Sequence, residues 1–502
     1  MKNKRDQVQA HRFVVSRLTS GLMRTDPDIL EGPNSRTNKG MTIGGVIGAV
    51  LAVGALVYGF ISPGGSNAWQ DQKTLIIEQN TGNRYLYDGA LRPVRNYSSA
   101  RLIVGETMTS RNVPARSLAD VSRGSAVGIP GAPDNLPPTE NLDIGPWEVC
   151  AATDATDSGR PAPSTSLVVD ENEPGVELDS SQALLVSSPD KRYYLLWHGS
   201  RFRLGSGSAA ADALGYGTVR PLAVSVSFLD SLPAGPDLAA PAVAGGGAIG
   251  PRLEGKSTRV GQVFEVKTPG SSKQYYLLQR AGLVPITITE AALALGDPDE
   301  RTKSYGGSTP VAIQIAADSL NWALAPHGRP AISSLPPAPP MLVPISSNQA
   351  VCVRLEAGHK SGASKGNAPI TDVAGRIGIT VAHDAQFEAG GVTAPKESMA
   401  ACLPVDTVVV PPNGGSLVRA LGASGDRVGA TTYLVTDAGV KHLIASDTAA
   451  KALGYDPAGA RGIPSPLLAM LPTGVDLSQP DALQGQATTT NASGCATNKT
   501  AQ

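Results

Sequence analysis

The sequence predicts a single-pass membrane protein with its amino terminus inside the cell and a large, elongated α+β region outside the membrane. Three observations predict this fold class: one uncharged segment long enough to span a bilayer, an even number of cysteines confined to one side of it, and a strand–turn–strand–helix pattern that recurs after it. We expect four small β-hairpin and helix repeat modules arranged around a β-rich central domain.

The membrane segment is predicted from residues 41–61, MTIGGVIGAVLAVGALVYGFI, which contain no ionisable side chain other than Tyr58. A helix rises ~1.5 Å per residue, so this segment covers ~30 Å, about the thickness of the hydrocarbon core of a bilayer. A cleaved signal peptide would have an apolar region of ~7–15 residues and small residues at its cleavage site. This segment is longer and ends in Phe60-Ile61-Ser62-Pro63, so it predicts an uncleaved transmembrane helix.

The flanking charges predict the orientation of that helix. Residues 1–40 carry eight Lys and Arg side chains against four Asp and Glu side chains, a net charge of +4, whereas the first basic residue after the helix is Lys73. Basic flanks are retained on the cytoplasmic side. The head, residues 1–40, is therefore expected in the cytoplasm, and the body that follows the helix is expected outside the plasma membrane.

The head contains a helical pattern in residues 7–24, where Val8, Val14, Leu18 and Leu22 are interspersed with arginines. Two interpretations remain open: a basic amphipathic helix that lies on the anionic inner leaflet, or a helix that docks on a cytoplasmic partner. We favour partner docking because the head is longer than a membrane anchor requires.

Small residues recur every three or four positions along the membrane segment. Close approach of helices in lipid depends on such a face, so we expect a helix-packing face; the alternative is that Gly and Ala are simply common in this chain. The residues are Gly44, Gly48, Ala52, Ala55 and Gly59.

All four cysteines follow the membrane segment, and none has the CxxC spacing of a zinc site. An even number outside the membrane indicates two disulfides, for which three pairings are possible. We favour Cys150 with Cys352, because both lie in apolar, strand-like runs that can be neighbours. The second pair is then Cys402 with Cys495, which would tether the tail to the start of the last module.

The composition excludes several classes of function. A net charge of −1 with 17% charged residues provides no basic surface for nucleic acid. The six histidines are scattered, without an HExxH motif, and there is no GxSxG motif. We therefore predict no catalytic residues, no metal and no cofactor.

The repeat is clearest between two segments that match without gaps at an offset of 239 residues. Weaker copies begin at Tyr85 and Tyr276. Each copy predicts an apolar strand, a turn, a returning strand and a helix, with helix starts near Ser98, Thr289 and Asp447. Glycine is expected at the C-terminal cap of each helix, at Gly105, Gly215, Gly296 and Gly454. The matching blocks are residues 194–195 with 433–434, 210–216 with 449–455, and 232–238 with 471–477.

Two regions that do not fit the repeat each contain one cysteine of the favoured first pair, and we expect them to form the central domain together. The predicted organisation is a head (1–40), a transmembrane helix (41–61), a first module (62–128), a central domain (129–182 with 307–410), a second module (183–240), a linker with the third module (241–306), a fourth module (411–480) and a tail (481–502).

Several segments, taken in order, resemble one family. They are RDQVQAHRFVVSRL before the membrane segment, FISPGG after it, NYSSARLIVG, GIPGAP at residues 128–133 and WEVC at residues 147–150. This combination resembles EccB, the single-pass membrane core component of actinobacterial type VII (ESX) secretion systems. The resemblance covers nearly the whole chain.

The resemblance implies a structural role and a set of partners. In this family the body stands outside the plasma membrane, and the protein assembles, as part of an oligomeric complex, with EccC, EccD, EccE and the mycosin protease. The motor EccC supplies the energy for transport. The signature cysteines of the family match Cys150 and Cys352. A scaffold that makes and breaks no covalent bond is the function that we predict.

One motif supports an enzymatic alternative. Residues 250–257, GPRLEGKS, satisfy the phosphate-loop pattern G-x-x-x-x-G-K-[ST]. A working phosphate loop needs a buried strand before it and a helix after it, but here a Gly/Ala/Pro-rich linker precedes and the strand-like TRVGQVFEV follows. ATP hydrolysis outside the membrane, through Lys256 and Ser257, is the alternative, since it has been proposed for this family.

A cell-wall-binding membrane protein is the third hypothesis, because small outer modules can hold glycan or peptide. Aromatic residues make up only 4% of the chain, and sugar rings usually stack on exposed aromatic side chains. The composition therefore weighs against this hypothesis.

Overall fold

The protein is described by a computed structural model that covers residues 4–23, 35–61, 67–142, 145–155, 161–169, 175–205, 208–267, 272–326, 335–356, 376–384, 391–422 and 427–490. Two long helices come first and a mixed α/β body follows. The helices are α1 (Lys4–Met23), α2 (Ser35–Ile61), α3 (Tyr97–Val104), α4 (Ala115–Leu118), α5 (Ser208–Ala213), α6 (Val226–Asp230), α7 (Ile288–Gly296), α8 (Pro298–Lys303), α9 (Leu320–Ala323), α10 (Asp447–Leu453), α11 (Ser465–Ala469) and α12 (Gln479–Gln484).

The strands of the body are mostly short. In chain order they are β1 (Thr74–Glu78), β2 (Arg84–Tyr87), β3 (Leu91–Pro93), β4 (Thr109–Val113), β5 (Trp147–Ala155), β6 (Pro161–Val169), β7 (Val176–Glu177), β8 (Gln182–Ser187), β9 (Tyr193–Trp197), β10 (Ser200–Arg203), β11 (Leu222–Ala223), β12 (Val263–Val266), β13 (Gln274–Gln279), β14 (Gly282–Ile286), β15 (Ile313–Ile315), β16 (Met341–Leu342), β17 (Gln349–Glu356), β18 (Arg376–His383), β19 (Gly391–Val392), β20 (Thr407–Val409), β21 (Gly415–Leu421), β22 (Arg427–Thr436), β23 (Lys441–Ile444) and β24 (Arg461–Pro464).

Four sheets share one strand order, in which three antiparallel strands form a meander and a fourth strand pairs in parallel with the first. A helix (α3, α5, α7 or α10) follows the third strand of each sheet. The first sheet is β3-β2-β1-β4, the second β10-β9-β8-β11, the third β14-β13-β12-β15 and the fourth β23-β22-β21-β24.

The central sheet has the order β19-β20-β6-β5-β17-β18-β7 and is built from two separate segments of the chain. Two strands within the range predicted for the central domain pair with other sheets. β15 pairs in parallel with β12 of the third sheet, and β16 pairs in parallel with β8 of the second sheet. Both strands are short, and their pairing depends on contacts distant in sequence, which no local pattern reveals.

One hydrophobic core joins the central sheet to the second and fourth sheets. Val149 and Val351 of the central sheet belong to the same buried cluster as Leu196 of the second sheet and Val435 of the fourth. The apolar faces of three sheets thus cover one another, so none of these sheets buries its face alone.

The first and fourth sheets pack through their helices. α3 contacts α10 and α12, and Leu102 of α3 shares a buried cluster with Ala450 and Leu453 of α10. The Gly128 N–H also donates to the Ala482 carbonyl at 2.7 Å. Helix α12 therefore closes back onto the start of the body.

The second and third sheets pack in a similar way, through α5 and α7. Gly296 is the last residue of α7, and a Cβ added there would lie 2.2 Å from the Cβ of Ala213 on α5. Our prediction that Gly296 caps the helix in a left-handed conformation is therefore wrong, because glycine is required there for the close approach of α5. Gly105, Gly215 and Gly454 do have positive φ angles.

Helices α3 and α7 begin at Tyr97 and Ile288, one residue before the predicted starts, whereas α10 begins at the predicted Asp447. The N-terminal caps are Asn96, Thr287 and Ser446, whose side chains accept bonds from backbone N–H groups of the first turn. Thr287 and Glu290 form a reciprocal capping box. Ser98 and Thr289, the predicted starts, are buried on the inner faces of their helices.

Candidate functional sites

The apolar helix α2 contains a stretch, Thr37–Tyr58, that is long and apolar enough to cross a membrane. The most apolar part of this stretch is not buried against the described residues of the chain. The five small residues, residues 44, 48, 52, 55 and 59, lie within this helix. A Cβ added at Gly44 or Gly48 would meet no other group of the described residues within 4 Å. Space for a neighbouring helix therefore exists there, and the packing face stays a prediction.

The head helix α1 exposes its apolar side chains in the same way. Phe13 is 66% exposed, Leu18 60% and Leu22 85%. A helix with this many uncovered apolar residues has no cover among the described residues of its own chain, which fits both a membrane surface and a partner protein.

The central disulfide joins two adjacent antiparallel strands. Cys150 of β5 stands directly opposite Cys352 of β17, with their Cα atoms 4.0 Å apart, and the two sulfurs are bonded. Both residues are at most 2% exposed. Cys402 is also disulfide-bonded; Cys495 lies outside the described residues, so its pairing with Cys402 stays a prediction.

A buried ion pair stands beside this disulfide on the same face of the sheet. Glu148 is fully buried, and Arg354 donates to its carboxylate at 2.6 Å. Glu148 precedes Cys150 by two residues and Arg354 follows Cys352 by two, so all four side chains share one face. We did not predict this pair, although a charged residue two positions from a cysteine in an apolar strand is a usable signal for it.

The phosphate-loop-like segment has a geometry unlike that of a phosphate-binding loop. Leu253 and Lys256 exchange two backbone hydrogen bonds, of 3.1 and 2.8 Å, around Glu254 and Gly255. Both of these residues have positive φ angles, of 48° and 76°, as in a two-residue hairpin turn. The segment is therefore a tight β-hairpin rather than a strand-to-helix loop.

This hairpin leaves little for a phosphate to bind. The Gly250 and Lys256 N–H groups donate to backbone carbonyls of the hairpin itself, whereas a phosphate loop directs them to the ligand. The next regular element along the chain is β12, a strand, so the segment does not lead into a helix as a phosphate loop does. Lys256 and Ser257 are both exposed to solvent.

Two buried basic residues of the fourth sheet were also missed. Lys441 is 1% exposed, and its Nζ donates to the Leu468 and Leu471 carbonyls at the end of α11. Burial lowers the pKa of Lys441 to about 8. Burial also lowers the pKa of His442, whose Nδ1 lies 3.0 Å from the Val475 carbonyl. Both residues tie β23 to the segment that follows α11.

Comparison with known families identifies this architecture. The family described as type VII secretion system ESX-1, transport TM domain B, matches residues 2–490. The chain belongs to the EccB family. It is thus a structural component of type VII secretion rather than an isolated membrane protein, and the resemblance seen in the sequence is confirmed.

Individual EccB proteins match over almost their whole length. The chain is 27% identical over 499 residues to the ESX-3 secretion system ATPase EccB3 of Mycolicibacterium smegmatis, covering 95% of this chain and 90% of that protein. It is 25% identical over 488 residues to the ESX-1 secretion system ATPase EccB1 of Mycobacterium tuberculosis, covering 95% and 93%. Both names include the word ATPase, which the hairpin geometry of residues 250–257 does not support.

Solved EccB assemblies share the fold. An intact ESX-5 inner membrane complex contains a chain that aligns with a TM-score of 0.62 at 22% identity, covering 98% of this chain and 96% of that chain. An EccB3 dimer from the ESX-3 core complex aligns with a TM-score of 0.62 at 24% identity, covering 82% and 99%. EccB chains of this fold thus occur in inner membrane complexes and as dimers.

Proposed function

We propose that this chain is a single-pass scaffold in the membrane core of a type VII secretion system, with the head in the cytoplasm and the body outside the plasma membrane. One observation carries the proposal: the apolar, uncovered helix α2 separates a short basic helix from a body whose sheets share buried cores. The charge of +4 on residues 1–40 supports the orientation.

The proposed partners are EccC, EccD, EccE and the mycosin protease, together with further copies of this chain. The exposed apolar residues of α1 support a contact on the cytoplasmic side, and the small residues of α2 support a contact within lipid. The inner membrane complex and the dimer formed by EccB relatives support assembly as the purpose of these surfaces.

We further propose that the four sheets of equal strand order are repeats, arranged as modules around the central domain of an elongated body. Their common order and the 239-residue offset between the second and fourth copies support this. In the proposal the disulfides, Cys150–Cys352 and Cys402–Cys495, stiffen the body so that movement at one end reaches the other.

Purification of the tagged chain from native membranes in mild detergent tests the function. We expect EccC, EccD and EccE to co-elute, and we expect Gly48→Leu in the small-residue face to reduce that recovery while Val50→Leu, which is elsewhere on α2, leaves it unchanged. Elution of the wild-type chain without any of these proteins would contradict the proposal.

The names of relatives suggest ATP hydrolysis as a second candidate function, but the hairpin geometry of residues 250–257 does not support it. We propose that this chain does not hydrolyse ATP through residues 250–257. Purified wild-type protein and Lys256→Ala should then have the same phosphate release, at the level of a blank. A turnover that is present in the wild type and lost in Lys256→Ala would establish the ATPase instead.

A further inference from the structure

The second and fourth sheets each carry one more extended segment beyond the third strand of the meander. We call residues 233–238 the second-sheet edge and residues 472–477 the fourth-sheet edge. Gly235 donates to the Arg201 carbonyl and Leu238 to the Arg203 carbonyl; Gly474 donates to the Lys441 carbonyl and Leu477 to the Leu443 carbonyl. The two edges therefore have the same inner hydrogen bonds.

The outer side of the fourth-sheet edge is covered by two other segments of the chain. Thr473 exchanges two backbone hydrogen bonds with Met399, of 2.7 and 2.9 Å. The Asp476 N–H donates to the Thr488 carbonyl at 2.8 Å, and the Asp476 carboxylate accepts from the Thr490 N–H at 3.1 Å and from its hydroxyl at 2.5 Å. The fourth-sheet edge thus binds extended segments of the chain on its outer side.

The outer side of the second-sheet edge is open within the described part of the chain. Ala234 stands where Thr473 does, and neither its N–H nor its carbonyl has a hydrogen-bond partner; the Asp237 N–H, equivalent to that of Asp476, has none either. Residues 473–477 are all buried, whereas 233, 234, 236 and 237 are exposed. Unpaired backbone groups in this pattern recruit a further strand.

A cavity of about 520 Å³ lies against this open edge, beside Ala234, Gly235 and Asp237. Its charged side chains are matched in three pairs, Arg192 with Asp190, Arg201 with Asp230, and Arg203 with Asp237. A charged side chain placed there would lack a counter-ion, so the cavity favours an uncharged occupant. A hydroxyl group can still donate to the Asp237 carboxylate, as Thr490 does to Asp476.

We propose that the second-sheet edge is a docking site for an extended, uncharged, Ser- or Thr-bearing segment of a partner protein. The segment adds as a strand and pairs with Ala234 and Asp237 in the way that Met399 and residues 488–490 pair with the fourth-sheet edge. Those two segments of this chain are already engaged at the fourth sheet, so neither is the occupant, and we assign the occupant to another protein. The proposal does not depend on the secretion role.

A peptide of residues 485–490, GQATTT, is the probe, because the fourth-sheet edge binds Thr488 and Thr490 of this segment. Fluorescence anisotropy of the labelled peptide with the full-length protein in detergent should show saturable binding with little dependence on salt. Ala234→Pro removes the free N–H and should weaken binding at least tenfold, whereas Val219→Ala, an exposed position of the same region, should leave it unchanged. A peptide with Val at the position of Thr490 should also bind several-fold less tightly.

A second variant separates lost binding from lost folding. Ala234→Trp keeps the N–H but occupies the cavity, and it should weaken binding without lowering the melting temperature. Equal binding by the wild type and both Ala234 variants would overturn the proposal. Binding that is lost only in Asp476→Ala would overturn it too, since the peptide would then be displacing the chain's own tail from the fourth-sheet edge. If Ala234→Pro instead lowers the mass of the purified protein, the occupant is a second copy of this chain and the assignment to a partner protein is wrong.

Discussion

The second and fourth sheets have the same strand order and the same hydrogen bonds to their edge segments, yet one is open where the other is enclosed. At equivalent positions of the third strand, Arg201 is part-exposed and pairs with Asp230, whereas Lys441 is buried and donates to two carbonyls. The next residues are Phe202 and His442, both buried. One backbone pattern therefore supports two different environments.

The two sheets together distinguish residues that the shared backbone structure requires from residues that depend on what surrounds each sheet. The shared backbone requires Gly235 and Gly474. A Cβ at Gly235 would lie 2.4 Å from the ring of Phe202, and a Cβ at Gly474 would lie 2.3 Å from the ring of His442. The charged residues depend on the surroundings of each sheet. They pair with each other on the open second sheet, and they form hydrogen bonds with backbone groups in the enclosed fourth sheet. Equivalent substitutions should therefore have unequal effects in the two sheets.

The largest effect is expected at the disulfide of the central sheet, since both sheets pack on that sheet. Loss of Cys150–Cys352, which closes a separation of 202 residues, should lower the free energy of unfolding by about 5 kcal/mol in the chain-entropy model. The Cys150→Ala/Cys352→Ala double variant should melt well below the wild type. Reducing agent should lower the melting temperature of this variant less than that of the wild type, because the variant no longer contains this disulfide. An unchanged melting curve would show that this disulfide does not stabilise the central sheet.

The next largest difference is expected between Lys441→Ala and Arg201→Ala. The first leaves the Leu468 and Leu471 carbonyls without their buried donor and creates a cavity, which should cost about 3 kcal/mol. The second removes a part-exposed ion pair worth about 0–1 kcal/mol. Denaturant titration of both variants measures the difference, and equal losses would contradict the distinction between the enclosed and the open sheet.

A smaller difference is expected between Asp476→Ala and Asp237→Ala. Asp476 holds Thr490 through its carboxylate, so its replacement should release the tail, lower stability by about 2 kcal/mol and speed cleavage after residue 484 in limited proteolysis. Asp237 is 43% exposed at its side chain and pairs with Arg203 on the surface, so its replacement should leave the cleavage rate as it is. A tail that is cleaved equally fast in both variants would remove the asymmetry.

The smallest effect is a dependence on pH that only the fourth sheet should show. Burial lowers the pKa of His442 below its usual 6.5, against weaker opposing effects of the hydrogen bond to the Val475 carbonyl and of the Asp476 carboxylate. The unfolded state therefore binds a proton that the folded state resists, so this stability is present above pH 6.5 and is lost as the pH falls below it. His442→Phe, which copies Phe202, should lose about 1 kcal/mol at pH 7.5 through the missing bond to Val475.

The change in melting temperature between pH 7.5 and pH 5.5 measures this dependence. The change should be smaller in His442→Phe than in the wild type, while Phe202→Leu should change it no more than any neutral substitution does. An identical pH dependence in wild type and His442→Phe would show that His442 titrates as it does in the unfolded chain.

Local pattern was sufficient for the elements, because strand and helix periodicity is carried by neighbouring residues. The runs RYYLLW and FRL correspond to β9 and β10, and the apolar runs around Cys150 and Cys352 correspond to the paired strands β5 and β17. Local sequence pattern was not sufficient to predict the contacts between these elements. Gly296 looked like a helix cap, and only the presence of α5 shows that it is a contact point.

The burial of charged residues could not be predicted for the same reason. KHLI of the fourth sheet and SRFR of the second occupy equivalent strands, and nothing within either run shows which one another part of the chain will cover. Glu148 and Arg354 are 206 residues apart, and only the spacing of each from its cysteine links them. The tail that encloses the fourth-sheet edge, at Thr488–Thr490, lies in a polar, Thr-rich stretch that by itself predicts no structure.

Protease treatment of intact cells with a permeabilised outer envelope tests the central claim most directly, because the disulfides, the outer partners and the scaffold role all depend on a body outside the plasma membrane. With one tag at each end, we expect the carboxy-terminal tag to disappear while an amino-terminal fragment containing α1 and α2 survives until the membrane is dissolved. A body that resists protease while a known outer protein is degraded, or an amino-terminal tag that is lost first, would contradict the account.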